Sequence, residues 1–210
     1  LEAAGIRIAQ TWIAVYAADV YISGQGMPLN QAVVTAGLLA LFAYTVAGRA
    51  IGCPLAGRMS DLLARRGISR TLVIMAWLVI GTVSFQVLSA GVTSIWALVI
   101  LAVLLGTSVN LFALIPAAIS DTFGQQRTAS LSSFANTMAQ LSGATALAVS
   151  GYVGISLNAQ PGNALAEYRG IWLSAVVGMA VMVLLSIGSY LALRNGWVSR
   201  QAPVATAPSA

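Results

Sequence analysis

Apolar residues fill this chain in long runs, at 6–22, 32–55, 71–90, 95–115, 129–155 and 171–193, with the polar positions gathered between them. A helical crossing of a bilayer needs about 20 apolar residues, whereas a barrel strand needs roughly ten in strict polar and apolar alternation. These runs are too long and too uniformly apolar for strands. They predict an all-α polytopic membrane protein whose six transmembrane helices form one bundle over residues 1–194, with a low-complexity, disordered cytoplasmic tail at 195–210. Turn-forming residues mark three of the breaks: Ser23-Gly24-Gln25-Gly26-Met27-Pro28, Ala90-Gly91-Val92-Thr93-Ser94 and Asn158-Ala159-Gln160-Pro161-Gly162-Asn163. Pro116 follows the fourth run, and Pro54 lies near the end of the second.

Composition sharpens the class. Hydrophobic residues make up 59% of the chain and charged residues 7%, against about 25% charged in soluble domains. The bilayer is therefore the first partner, and 210 residues leave no room for a separate soluble domain. A net charge of +5 in a soluble chain raises the question of nucleic acid, but every basic residue is an arginine and most flank apolar runs. Topology accounts for them, and no nucleic-acid partner is expected. If the six runs alternate, Arg7, Arg58, Arg65, Arg66, Arg70, Arg127, Arg194 and Arg200 share one side and only Arg169 lies opposite. The positive-inside rule then puts both termini and the loops around Ser60 and Thr122 in the cytoplasm, for a multi-pass protein of the plasma or inner membrane.

Histidine is absent and Cys53 is the single cysteine. That leaves no intrachain disulfide, no thiolate or imidazole metal site and no Ser-His or Cys-His nucleophile. The chain reads as neither an enzyme nor a cofactor carrier.

Arg49 is the charge that most needs a role, because an arginine within a span costs about 2.5–3.5 kcal/mol even on the mild insertion scale. It reads as a solute or ion site, with Thr45 one turn outward extending a polar stripe. Two structural roles compete with that one. Arg49 lies about 9 Å inside the boundary at Leu55, within partial reach of a snorkelling side chain. It could also pair with Asp19, the only acidic residue inside a run, although their depths differ by about 20 Å at helical rise. Asp19 shares a helical face with Trp12, Tyr16 and Ser23, which is either an interfacial aromatic anchor or a cavity-lining face that binds a cation or a proton. Asn110 in the fourth run and Asn136 and Gln140 in the fifth are either interhelical hydrogen-bonding groups or solute ligands.

Small residues give the second run a different signature. Gly48 and Gly52, extended by Ala56, let helices approach closely, and Gly143, Leu147 and Gly151 nearly repeat the pattern in the fifth run. Pro54 removes an amide donor and predicts a kink.

Between the second and third runs, Gly57-Arg58-Met59-Ser60-Asp61-Leu62-Leu63-Ala64-Arg65-Arg66-Gly67 resembles the loop motif of the major facilitator superfamily, in which a glycine, an aspartate four residues later and a basic cluster join two helices. Leu62 stands where a basic residue is usual and Ala64 where a glycine is usual, as in the degenerate copy such transporters carry in their second half. The fourth run lacks the arginine, and the fifth the Gly-Pro pair, that first halves often carry. The resemblance therefore implies the C-terminal six-helix half, with the N-terminal half, or a second copy of this chain, as its partner. It further implies a solute site facing that partner, to which Tyr16, Asp19, Thr45, Arg49, Asn110, Asn136 and Gln140 would contribute, and a cytoplasmic gate built on Gly57, Asp61, Arg65 and Arg66. Asp61 and Arg65 stand at i, i+4 if helix continues between them.

The function expected on these grounds is secondary active transport of a small solute by alternating access, with Arg49 favouring an anion. The other reading is a non-transporting membrane scaffold or sensor, or a truncated half-transporter. The opening at Leu1, only a few residues before the first run, predicts that the sequence starts inside a longer protein.

Overall fold

A computed structural model describes residues 2–26, 28–108, 114–157 and 164–195. These residues form helices α1 (Glu2–Gln25), α2 (Leu29–Arg65), α3 (Arg70–Ser89), α4 (Ile95–Ser108), α5 (Leu114–Phe123), α6 (Gln125–Leu157) and α7 (Ala164–Arg194), and there is no strand among them. Three of the helices, α2, α3 and α7, are long and apolar enough to cross a membrane. The expected tail at 195–210 lies outside the described residues beyond its first position.

Local chemistry explains where the helices stop. After α2, Gly67 takes φ +81, a left-handed conformation open to glycine at little cost, and Ser69 then caps α3 by accepting from the Thr71 amide at 3.2 Å. Gly124, also at φ +81, turns the chain from α5 directly into α6. Pro116 does not end the fourth run. It lies within α5, and the helix continues past it to Phe123.

Pro54 does not end the second run either. Helix α2 runs through it and changes register instead, with π-turns over Val33–Gly37 and Ala43–Gly52 before α-geometry resumes at Cys53. A π-turn bonds across five residues and widens the coil. Pro54 thus falls just past the junction of two registers, and the amide it lacks is lost where the ladder is already being reset.

The helices pack in a circuit: α1 against α2, α2 against α4, α4 against α3, α3 against α7, α7 against α6, and α6 back against α1. Helix α1 also touches α7 across the middle. Tyr16, Phe85 and Trp172 are fully buried there, with Trp172 edge-on to Tyr16 at 5.7 Å and stacked with Phe85 at 5.9 Å. Aromatic pairs in these geometries contribute about 0.5–1.5 kcal/mol beyond their burial.

On the other side of the circuit, α2 and α4 meet backbone to backbone. A β-carbon on Gly48 would lie 2.7 Å from both the Gly106 Cα and the Val103 carbonyl oxygen. Thr107 locks the crossing by donating from Oγ1 to the Gly48 carbonyl at 3.1 Å. The close approach expected of Gly48 and Gly52 is therefore present, with Gly106 as its unanticipated counterpart. Gly151 behaves differently: a β-carbon there would meet nothing within 4 Å.

Candidate functional site

At the arginine-rich end of the bundle one side chain joins three helices. Arg70, the first residue of α3, donates from Nη2 to Asp61 Oδ1 of α2 at 2.8 Å and from Nη1 to Asp121 Oδ2 of α5 at 2.6 Å. Its side chain is 21% exposed, whereas those of Asp61 and Asp121 are 60% and 53% exposed. Each pair alone contributes at most about 1 kcal/mol in such wet surroundings. The arrangement therefore positions helix ends at low energetic cost and is easily broken. Beside it, Ser60 is fully buried and its Oγ has no hydrogen-bond partner.

The sequence motif anticipated Asp61 as a gate residue but paired it with Arg65. Helix does continue from Asp61 to Arg65, yet Arg65 and Arg66 are exposed and form no ion pair among the described residues. The turn at Gly67 brings Arg70 back over Asp61, which the i, i+4 rule does not foresee. Asp121 was missed altogether, although a signal existed: it and Asp61 are two of only five acidic residues in the chain, and each closes an apolar run at the same end. Gly57 is half-buried and has open space above it.

Tyr16 and Asp19 fall in a second cluster. Tyr16 is 1% exposed and donates its hydroxyl to the Val92 carbonyl at 2.8 Å, tying α1 to the loop between α3 and α4. The Tyr168 hydroxyl of α7 donates to the Asp19 carboxylate, and Tyr168 also packs edge-on to Trp12 and Tyr16. The aromatic face of α1 thus turns inward to α7, and Asp19 forms no ion pair with Arg49.

Arg49 is exposed on α2 among exposed Phe42, Val46 and Ile51, without an ion pair to any described residue. Thr45 is half-buried and donates to the Leu41 carbonyl one turn back at 2.7 Å. On α6, Gln140 accepts from Arg7 Nη2 of α1 at 3.1 Å, while Asn136 is exposed. Asn110 lies outside the described residues. The described candidates thus divide into an aromatic cluster around Asp19, an α1–α6 contact at Gln140, and Arg49 alone on an open face of α2.

Sequence reasoning also missed a half-open cavity of about 820 Å³ lined by α3, α5, α6 and α7, next to the Arg70 bridge. Thr71 and Thr122, the neighbours of Arg70 and Asp121, line one end of it, and Asn136 lines its α6 wall. Among the described residues, no charged side chain lines it. Among the described residues, no cluster of acidic, cysteine or histidine side chains could hold a metal ion.

No family model, curated protein or solved structure matches the chain.

Proposed function

We propose that this chain is a six-helix half of a secondary active transporter of the major facilitator type, moving a small solute across the plasma or inner membrane by alternating access. The observation that carries the reading is the Arg70 bridge. A gate has to hold several helix ends together and still let go within a transport cycle, and one arginine shared between two wet carboxylates on different helices meets both demands. Its position beside Asp61 agrees with the resemblance of the Gly57-to-Gly67 segment to the superfamily loop.

Arg49 supplies the substrate preference in this reading. An unpaired arginine on an apolar helix face is costly against lipid and favourable against a polar cavity or an anion. With the partner half, or a second copy, lying over that face of α2, Arg49 borders the solute pathway and favours an anionic solute. Arg49 itself lies within the second π-segment of α2, Ala43–Gly52, and such segments often mark functional positions.

Solute flux in proteoliposomes carrying the full-length protein tests the proposal, with a panel of anionic and neutral small solutes. Arg70→Ala is expected to lower flux at least about tenfold at equal folded protein, and Arg49→Ala to abolish preference for anions over neutral solutes. Flux of no solute above empty vesicles, or variants indistinguishable from the parent protein, contradicts it.

A further inference from the structure

The cavity behind the Arg70 bridge has the size of a small-molecule site, within the roughly 300–1,000 Å³ that such pockets occupy. Its walls come from four helices and are mainly apolar, with Leu78, Ile119, Met182 and Leu185 prominent. No charged side chain among the described residues lines it, so an ion seated against these apolar walls would lose hydration without a countercharge. The lining therefore favours an uncharged ligand over the anionic solute assigned to Arg49.

Six polar side chains line the walls, Thr71 on α3, Thr122 on α5, Ser132 and Asn136 on α6, and Ser186 and Ser189 on α7. Ser132 Oγ is shielded from solvent and has no hydrogen-bond partner. Asn136, four residues on and therefore on the same helical face, also lines the cavity. By contrast, the hydroxyls of Thr122 and Ser189 are already committed to the carbonyls of Ala118 and Leu185 within their own helices. An unsatisfied buried hydroxyl is costly, and rotation about χ1 is enough to turn it toward an occupant.

We propose that this cavity binds an uncharged, largely apolar molecule carrying a single hydrogen-bonding head group, with Ser132 and Asn136 holding the head and the walls from α3 and α7 holding the apolar body. The site is independent of the solute pathway at Arg49 and does not rest on transport. Such a ligand reaches it either as a neutral membrane lipid or as a free lipophilic solute.

Photolabelling of the full chain in phosphatidylcholine nanodiscs tests this, using a diazirine-bearing long-chain alcohol and the same chain ended by a sulfonate, at matched bilayer concentrations. The alcohol is expected to label α6 around Ser132–Ala139 and α7 around Met182–Ser189, with the sulfonate at least about fivefold weaker there. Ala139→Trp, which places an indole in the cavity beside Asn136, lowers alcohol labelling of these segments by about fivefold or more. Ser132→Val combined with Asn136→Leu keeps the volume, removes the polar groups and lowers it by about fivefold, the worth of one such hydrogen bond. Labelling of the exposed face of α2 stays constant throughout and reports on folding.

Competition by unlabelled diacylglycerol supports the site with a lipid as occupant. Competition only by a short alcohol added from the aqueous side supports it with a free solute. Labelling that neither reduces, equal labelling by the sulfonate, or labelling unchanged in both variants overturns the proposal.

Discussion

Gly48 of α2 and Gly151 of α6 are both glycines in apolar helices, yet only one has a neighbour that demands it. A side chain on Gly48 would run into the backbone of α4, while one on Gly151 would meet open space, as would one on Gly178 or Gly188 of α7. The bundle thus has two characters. Its α2–α4 side is closed by backbone contact and the Thr107 hydrogen bond, and its α5–α6–α7 side carries the cavity. Between them, at the arginine-rich end, Arg70 joins α3 to one helix of each side through Asp61 and Asp121. A backbone-to-backbone crossing and a cavity-bearing group are thus joined by a solvent-exposed ionic contact.

The largest effect is expected from a substitution at the α2–α4 crossing. Gly48→Val is expected to destabilise the folded protein by about 3 kcal/mol, because neither the Gly106 Cα nor the Val103 carbonyl can move aside without shifting α4. Steric-trapping or thermal unfolding in bicelles measures it, and a loss below about 1 kcal/mol would show that the two helices do not meet there.

Arg70→Ala should cost less, about 1 kcal/mol of stability, since both carboxylates it serves are more than half exposed. The difference from the parent protein should shrink as salt is raised, the mark of a wet ionic contact. A loss of several kcal/mol that persists in high salt would instead make the bridge a buried structural element.

The smallest effect is expected at Gly151→Ala. With no neighbour to strike, the added methyl should leave stability unchanged or raise it by up to about 1 kcal/mol through better helix propensity. Destabilisation comparable to that of Gly48→Val would mean that α6 is packed as tightly as α2.

Much of the architecture was legible in the sequence, and the boundaries of that legibility are physical. Run length and hydropathy announced an all-helical chain, and the Gly48/Gly52 spacing announced a close crossing, because only small side chains allow backbones to touch. The partner of that crossing was not legible. In a lipid setting apolar faces look alike whether another helix or the bilayer covers them, so nothing in the Gly143–Gly151 spacing warned that Gly151 would stand open.

The candidate site was legible in its residue types more than in its pairings. Asp61 was identified, but its partner comes back around the Gly67 turn and the second carboxylate comes from α5, so no helical periodicity connects the three. Pro54 announced a bend, whereas the chain changed register upstream of it, an outcome that a rule based on one missing amide does not contain. The cavity left no trace in the sequence, because it is defined by what four helices fail to fill.

If Arg70 is a releasable clasp over the arginine-rich end of the bundle, Ser60, the fully buried neighbour of Asp61 in sequence, reports its release. In a Cys53→Ser background, Ser60→Cys provides a single thiol of nearly unchanged size. Its reaction with a membrane-impermeant maleimide, applied to proteoliposomes from the side on which the arginine-rich end lies, should be slow, and adding Arg70→Ala should speed it at least about tenfold as the helix ends separate more often. Equal rates with and without Arg70 would contradict the account.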